Sequence, residues 1–149
     1  GRPDMSPMIF AKSILEKLPI KIFNYGNMKR DFTFIDDIIE GVYRCCKKPA
    51  TINKNFDKNF PDTSTSFAPY KIFNIGNSKT VDLMYFIELL EKNLNTKAIK
   101  EFMPNQPGEV IQTLSDCDNL KKWVGYESTI SIEEGSKIFC EWFLNYYKL

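Results

Sequence analysis

Lys29-Arg30-Asp31-Phe32-Thr33-Phe34-Ile35-Asp36-Asp37-Ile38-Ile39-Glu40-Gly41-Val42 changes its hydrophobic period part-way along. From Asp31 to Ile35 apolar and polar residues alternate, the period of a half-buried strand. From there on, Ile35, Ile38, Ile39, Val42 and Cys46 fall on one face of a helix. Asp37, three residues ahead of Glu40, predicts a capping pair at the helix start. A strand feeding directly into an amphipathic helix argues for an α/β or α+β arrangement.

The flanking sequence continues the mixture. Upstream, Met8, Ala11, Leu15 and Leu18 predict a helix over 6–18, with Pro7 in its first turn and Pro19 ending it. Ile20-Lys21-Ile22-Phe23 reads as a short strand and Tyr25-Gly26-Asn27 as a turn. Downstream, residues 47–69 are polar and rich in proline, a long surface loop. Residues 70–76 form the strongest strand candidate. Leu83, Phe86, Ile87, Leu90 and Leu94 mark a helix with Asp82 as its N-cap. A strand is expected over 97–102, and a helix over 116–124 stopped by Gly125. Ser131 and Glu134 make a capping box for a last helix, whose expected core face is Ile138, Phe139, Trp142, Phe143 and Tyr146.

The 149 residues suit one domain. Twenty basic and nineteen acidic residues leave a net charge of +1, which gives no electrostatic case for nucleic acid or an anionic membrane. The sequence contains no histidine, so this chain alone cannot supply a Ser-His-Asp or Cys-His centre or a His-ligated metal. Cys45, Cys46, Cys117 and Cys140 contain no C-x-x-C pair and are expected as reduced thiols in a cytoplasmic protein. No apolar run approaches the roughly 20 residues of a membrane span, and the first residues lack the layout of a signal peptide.

Chemistry is sparse. Lys29-Arg30, between a turn and a strand, can grip an anion, the guanidinium bidentately; a solvated basic pair is the plainer reading. Two Tyr-x-x-x-Lys strings, Tyr25 to Lys29 and Tyr43 to Lys47, have the spacing at which a lysine can activate a phenol. The first spans a turn, and in the second Tyr43 falls beside the apolar face, so neither is assigned a catalytic role. Asp36-Asp37 is read as capping rather than as a catalytic pair. Gly26, Gly76 and Gly108 are isolated, so no G-x-G-x-x-G phosphate cradle is present.

Four ordered blocks carry a resemblance along nearly the whole chain. They are Gly1-Arg2-Pro3-Asp4-Met5, residues 28–38, residues 68–77, and Gln106-Pro107-Gly108-Glu109-Val110 continuing to Gly125-Tyr126 and Ile132-Glu133-Glu134-Gly135. Together they resemble the C-terminal portion of NAD-dependent nucleotide-sugar epimerases and dehydratases of the extended short-chain dehydrogenase/reductase family. Arg-Pro-Asp-Met at the first block looks like the UDP-glucuronate 4-epimerases. The resemblance implies an α/β substrate-binding portion over 1–149 that lacks most of the Rossmann domain. Residues 36–47 and 70–76 are then expected to pack on that missing domain. It also implies an isomerase of carbohydrate metabolism and polysaccharide biosynthesis, cytoplasmic and homodimeric when complete. NAD, the catalytic Tyr-x-x-x-Lys and its Ser/Thr belong to the family's N-terminal half, so this chain is expected to be inactive alone.

Residue by residue, the resemblance puts Arg2 near the C5 carboxylate of a uronate, where a bidentate cation has a physical purpose. It puts Arg30 on the UDP diphosphate, Lys21 and Phe23 along the uracil, and Met28 near ribose or base through its backbone. Glu109 stands where Asp is usual, near the ribose. The family commonly has a basic residue just before that block, and this chain has Asn105 and Gln106. The alternatives are another epimerase, a dehydratase or a uronate decarboxylase on the same scaffold, or a freestanding non-catalytic binding protein.

Overall fold

The computed structural model describes residues 4–148. In chain order the elements are α1 (Ser6–Leu15), β1 (Pro19–Ile22), a 3-10 turn (Phe23–Gly26), β2 (Lys29–Arg30), α2 (Ile35–Lys47), β3 (Val81–Asp82), α3 (Leu83–Asn93), β4 (Ile99–Phe102), α4 (Asp118–Val124) and α5 (Ile132–Tyr147). Two compact units are built from them. One combines residues 1–32, 80–113 and 130–149; the other combines 33–79 and 114–129.

The first unit carries both small sheets. β1 and β4 pair in parallel, with Ile20 opposite Lys100 and Ile22 opposite Phe102. The period-2 pattern buries Ile20 and Ile22 and leaves Pro19 and Lys21 on the exposed side. β2 and β3 pair antiparallel, Lys29 opposite Asp82 and Arg30 opposite Val81. Phe10, Ala11 and Ile14 of α1 join Leu83, Phe86, Ile87, Leu90 and Leu94 in one core with Cys140 and Phe143 of α5. The predicted face of α3 is therefore correct throughout. Burial pushes the Cys140 thiol up to about 11, so it packs as an apolar group.

In the second unit α2 lies against Ile75 and Tyr126. A Cβ added at Gly41 would stand 2.5 Å from Ile75 Cδ1 and 3.0 Å from the Tyr126 ring, which explains a glycine inside that helix. Tyr126 is buried with Cys117 and Leu120, and its hydroxyl donates to the Gly76 carbonyl at 3.0 Å.

Four expectations need correction. The strand predicted over Asp31–Ile35 does not form: the antiparallel pair covers Lys29–Arg30 with Val81–Asp82, the next partner in register, Thr80, precedes β3, and Ile35 already begins α2. Residues 70–76 form no ladder; Lys71 makes only an isolated bridge to Thr65, and a strand needs a partner along its length. The first helix stops at Leu15, with Lys17 left-handed at φ 54°. Asp37 is no cap. It is 5% exposed and accepts from Ser128 Oγ at 2.6 Å and from Thr129 N at 3.1 Å, while Glu40 accepts from Arg44 Nε at 2.7 Å. Asp82 does take the predicted N-cap position of α3, without a side-chain cap bond.

The rotation of α5 also differs from its sequence pattern. Its capping box is present, with Glu134 N donating to Ser131 Oγ at 3.1 Å. Ser136, Cys140 and Phe143 are buried, whereas Trp142 is 43% and Tyr146 65% exposed. An aromatic helix that is apolar on several sides does not fix its own rotation. Here Asn93 Nδ2 of α3, donating to Ser136 Oγ at 3.2 Å, marks the packed side.

Glu91 at the end of α3 is 4% exposed. Burial alone would raise its carboxyl. The Lys100 and Lys97 ammoniums and the Ala98 N–H outweigh that and hold it at about 2, against an ordinary 4.5. A depressed folded value contributes stability above pH 4.5 that is lost as pH falls toward 2. Acid denaturation followed by circular dichroism is expected to begin in that window. Glu91→Gln is expected to cost about 1–3 kcal/mol at pH 7 and to flatten the acid limb. An unchanged acid limb in this variant would remove the assignment.

Candidate functional site

A cleft of about 550 Å³ opens on the first unit. Lys21, Phe23, Met28, Arg30 and Glu109 all line it, together with residues from the start of α1 and from β1. Five of the six sequence-predicted site residues are thus brought together from three separated stretches. The sixth, Arg2, lies outside the described residues.

Backbone geometry explains why β1 and β2 supply one wall. Asn24, Tyr25 and Gly26 are consecutive left-handed residues, at φ 49°, 51° and 84°. They turn the chain within three residues, so that Phe23 before the turn and Met28 after it reach the same cleft. Tyr25 N donates to Met103 O at 3.0 Å, and Asn24 Nδ2 donates to Asn27 O at 2.7 Å. A Cβ at Gly26 would stand 2.8 Å from Met84 Sδ, so the turn is seated closely on α3.

Arg30 is held rather than free. Its Nη1 donates to the carbonyls of Lys29 at 2.9 Å and Ile111 at 3.1 Å. Its Nη2 stands 3.4 Å from Glu109 Oε2. The main chain prepares this contact: Lys29 N donates to Ile111 O at 2.9 Å, and Thr113 N donates to Lys29 O at 3.2 Å. Of the five guanidinium donors, Nε–H and one Nη2–H remain for a ligand.

Met28 is buried, and its main chain is already engaged. Its N–H donates to Gly26 O and its carbonyl accepts from Leu83 N, each at 2.9 Å. The carbonyl's second lone pair is what the backbone can still offer. Lys21 is exposed at the rim, and Phe23 is half-buried. The cleft therefore offers an apolar, partly aromatic wall next to one fixed guanidinium and one ammonium. That combination suits a flat ring joined to an anion.

The sequence reading missed the apolar contribution of α1 and of the N-cap residue before it. Met5 and Ile9 also line the cleft, at 47% and 45% exposure. The departure of Ile9 from the buried face of α1 was the available signal. Lys47 Nζ sits 4.3 Å from the Tyr43 ring centroid, over its face. Among the described residues no group of acidic, cysteine or histidine side chains could hold a metal ion. No helix there is long and apolar enough to cross a membrane.

Residues 2–76 match the NAD dependent epimerase/dehydratase family. Protein CapI of Staphylococcus aureus is 43% identical over 99% of this chain and 44% of its own length. UDP-glucuronate 4-epimerase 1 of Arabidopsis thaliana is 36% identical over 99% of this chain and 34% of its own length. The crystal structure of a UDP-glucuronic acid 4-epimerase from Bacillus cereus, in complex with UDP-glucuronic acid and NAD, is similar with a TM-score of 0.77 at 29% identity. That likeness covers 98% of this chain and 41% of the other. The chain spans less than half the length of these relatives.

The left-handed turn generates a direct test. Tyr25 is 67% exposed, so its ring contributes little packing. Tyr25→Gly is expected to be at least as stable as wild type, because it relieves a conformation costing about 1–2 kcal/mol for an L residue. Tyr25→Val is expected to lose about 1–2 kcal/mol, since a β-branched residue suits that conformation least. Denaturant melts that rank valine above glycine would remove the strain argument.

Proposed function

This chain belongs to the NAD dependent epimerase/dehydratase family, and from that premise we propose that it is the nucleotide-sugar-binding part of a UDP-glucuronate 4-epimerase. Its α/β fold is that of the C-terminal portion of the extended short-chain dehydrogenase/reductase epimerases. The observation that carries the proposal is the cleft, in which Lys21, Phe23, Met28, Arg30 and Glu109 line one cavity. Phe23 offers a ring face to uracil, with Lys21 beside it. Arg30 directs its remaining donors at the diphosphate. Glu109 lies near the ribose. Arg2 holds the uronate carboxylate and so selects the acid sugar over a neutral one.

NAD is the family's cofactor, and we propose that this chain does not hold it. Gly26, Gly108 and Gly125 are left-handed glycines in three separate turns, not one strand-to-helix phosphate loop. We propose no NAD contact and no catalytic residue in this chain, and activity only together with further sequence of the kind its longer relatives have. The apolar surface of the second unit supports that reading. Ile35 and Ile39 of α2 are each 58% exposed, and Val42 and Ile72 are 51% and 53% exposed. Unpaired apolar surface of this kind marks a binding face. We propose that residues 36–47 and 70–76 pack on the N-terminal nucleotide-binding portion.

The substrate reading is tested in the enzyme assembled with that portion. Arg2→Ala is expected to lower kcat/KM for UDP-glucuronate by roughly 2–4 kcal/mol of transition-state stabilisation, the cost of removing one partner of a partly buried charge pair. UDP-glucose, which lacks the carboxylate, is expected to lose far less. Equal losses for both sugars would leave a nucleotide-sugar enzyme and overturn the glucuronate assignment.

A further inference from the structure

Arg30 meets a carboxylate of its own chain in the cleft where the proposed function puts an anion. Glu109 Oε2 lies 3.4 Å from Arg30 Nη2, with both side chains partly exposed at 37% and 27%. A bound diphosphate would set oxyanions against the same guanidinium and beside the same carboxylate. Like charges at that range repel, so Glu109 and the ligand cannot both occupy that edge of Arg30 at no cost.

We propose that Glu109 is an internal competitor for Arg30. It neutralises the guanidinium in the empty cleft and gives it up when a nucleoside diphosphate binds. This rests on the reading of the cleft as a nucleotide-sugar site and adds a role that proximity to the ribose does not contain.

The surrounding geometry suits such an exchange. On one side of Glu109 the chain is pinned: Ile111 and Thr113 are bonded to the main chain of Lys29, and Asp31 N donates to Thr113 Oγ1 at 3.1 Å. On the other side is Gly108, left-handed at φ 86° with open space around its α-carbon. Residues 105–110 are all exposed. Glu109 therefore sits between a fixed anchor and an exposed turn, closed by Glu109 N donating to Gln106 O at 3.1 Å, in which no side chain packs against Gly108. Arg30 does not move with it, because its Nη1 stays on two backbone carbonyls. Side-chain length matters as well. Glutamate reaches one methylene further than the aspartate that the resemblance leads one to expect here.

A partly exposed ion pair is weak, worth a factor of about five at most. The competitor is thus strong enough to tune affinity and too weak to block binding.

The test is calorimetric titration of UDP into the 149-residue chain and four variants: Glu109→Gln, Glu109→Asp, Arg30→Ala and the Arg30→Ala/Glu109→Gln double. Glutamine keeps an acceptor for a ribose hydroxyl and removes the charge. Aspartate keeps the charge and shortens the reach. Both single Glu109 variants are expected to bind UDP two- to five-fold more tightly, with unchanged thermal melts. The gain from Glu109→Gln is expected to vanish in the Arg30→Ala background. If Arg30→Ala weakens UDP while Glu109→Gln leaves it unchanged or weaker, the competition is overturned and the cleft reading stands. If UDP binds equally well without Arg30, or does not bind at all, the cleft reading itself fails and the inference falls with it.

Discussion

Two main-chain hydrogen bonds at Lys29 hold the site together. Its N–H donates to Ile111 O and its carbonyl accepts from Thr113 N. They tie β2 to a segment about 80 residues further along the sequence, and Arg30 Nη1 adds a third link to Ile111 O. Without them the loop bearing Glu109 would have no fixed distance from Arg30. The long separation makes this closure entropically expensive. The β2–β3 ladder and the core beneath it offset that expense by holding β2 in place.

The left-handed turn at Asn24–Gly26 is the second constraint. A two-residue strand cannot redirect the chain by itself. The turn does so at the cost of two non-glycine residues in a sparsely populated conformation, and the close seating of Gly26 on Met84 keeps it there. Strain next to a ligand cleft recurs in proteins because surrounding packing can over-determine it. Here it aligns the β1 wall with the Arg30 edge.

Much of this was legible from the residues. The α3 face, the Ser131 cap, the Gly125 stop and the strand within 97–102 follow local rules, and local rules decide them. The site residues were legible through resemblance rather than through chemistry, since a lone Lys-Arg pair is not a signature. What escaped depends on partners distant in sequence. Asp37 looks like a cap until Ser128 and Thr129 close over it. Residues 70–76 have a strand's composition without a ladder among the described residues, because composition does not supply the neighbouring strand. The rotation of α5 was decided by Ser136 and Cys140 meeting α3 rather than by its larger aromatic side chains. Arg30's contact with Glu109 joins two residues that no sequence window contains.

Mapping ligand-induced shifts in the backbone and side-chain NMR spectrum of this chain tests the central claim most directly. Adding UDP is predicted to move resonances of Lys21, Phe23, Met28 and Arg30 together, leaving Glu91 and the Asp37–Thr129 cluster in place. Adding NAD is predicted to move none of them. Shifts from UDP that avoid the cleft, or an NAD response as strong as that to UDP, would contradict the assignment of this chain as the nucleotide-sugar-binding half.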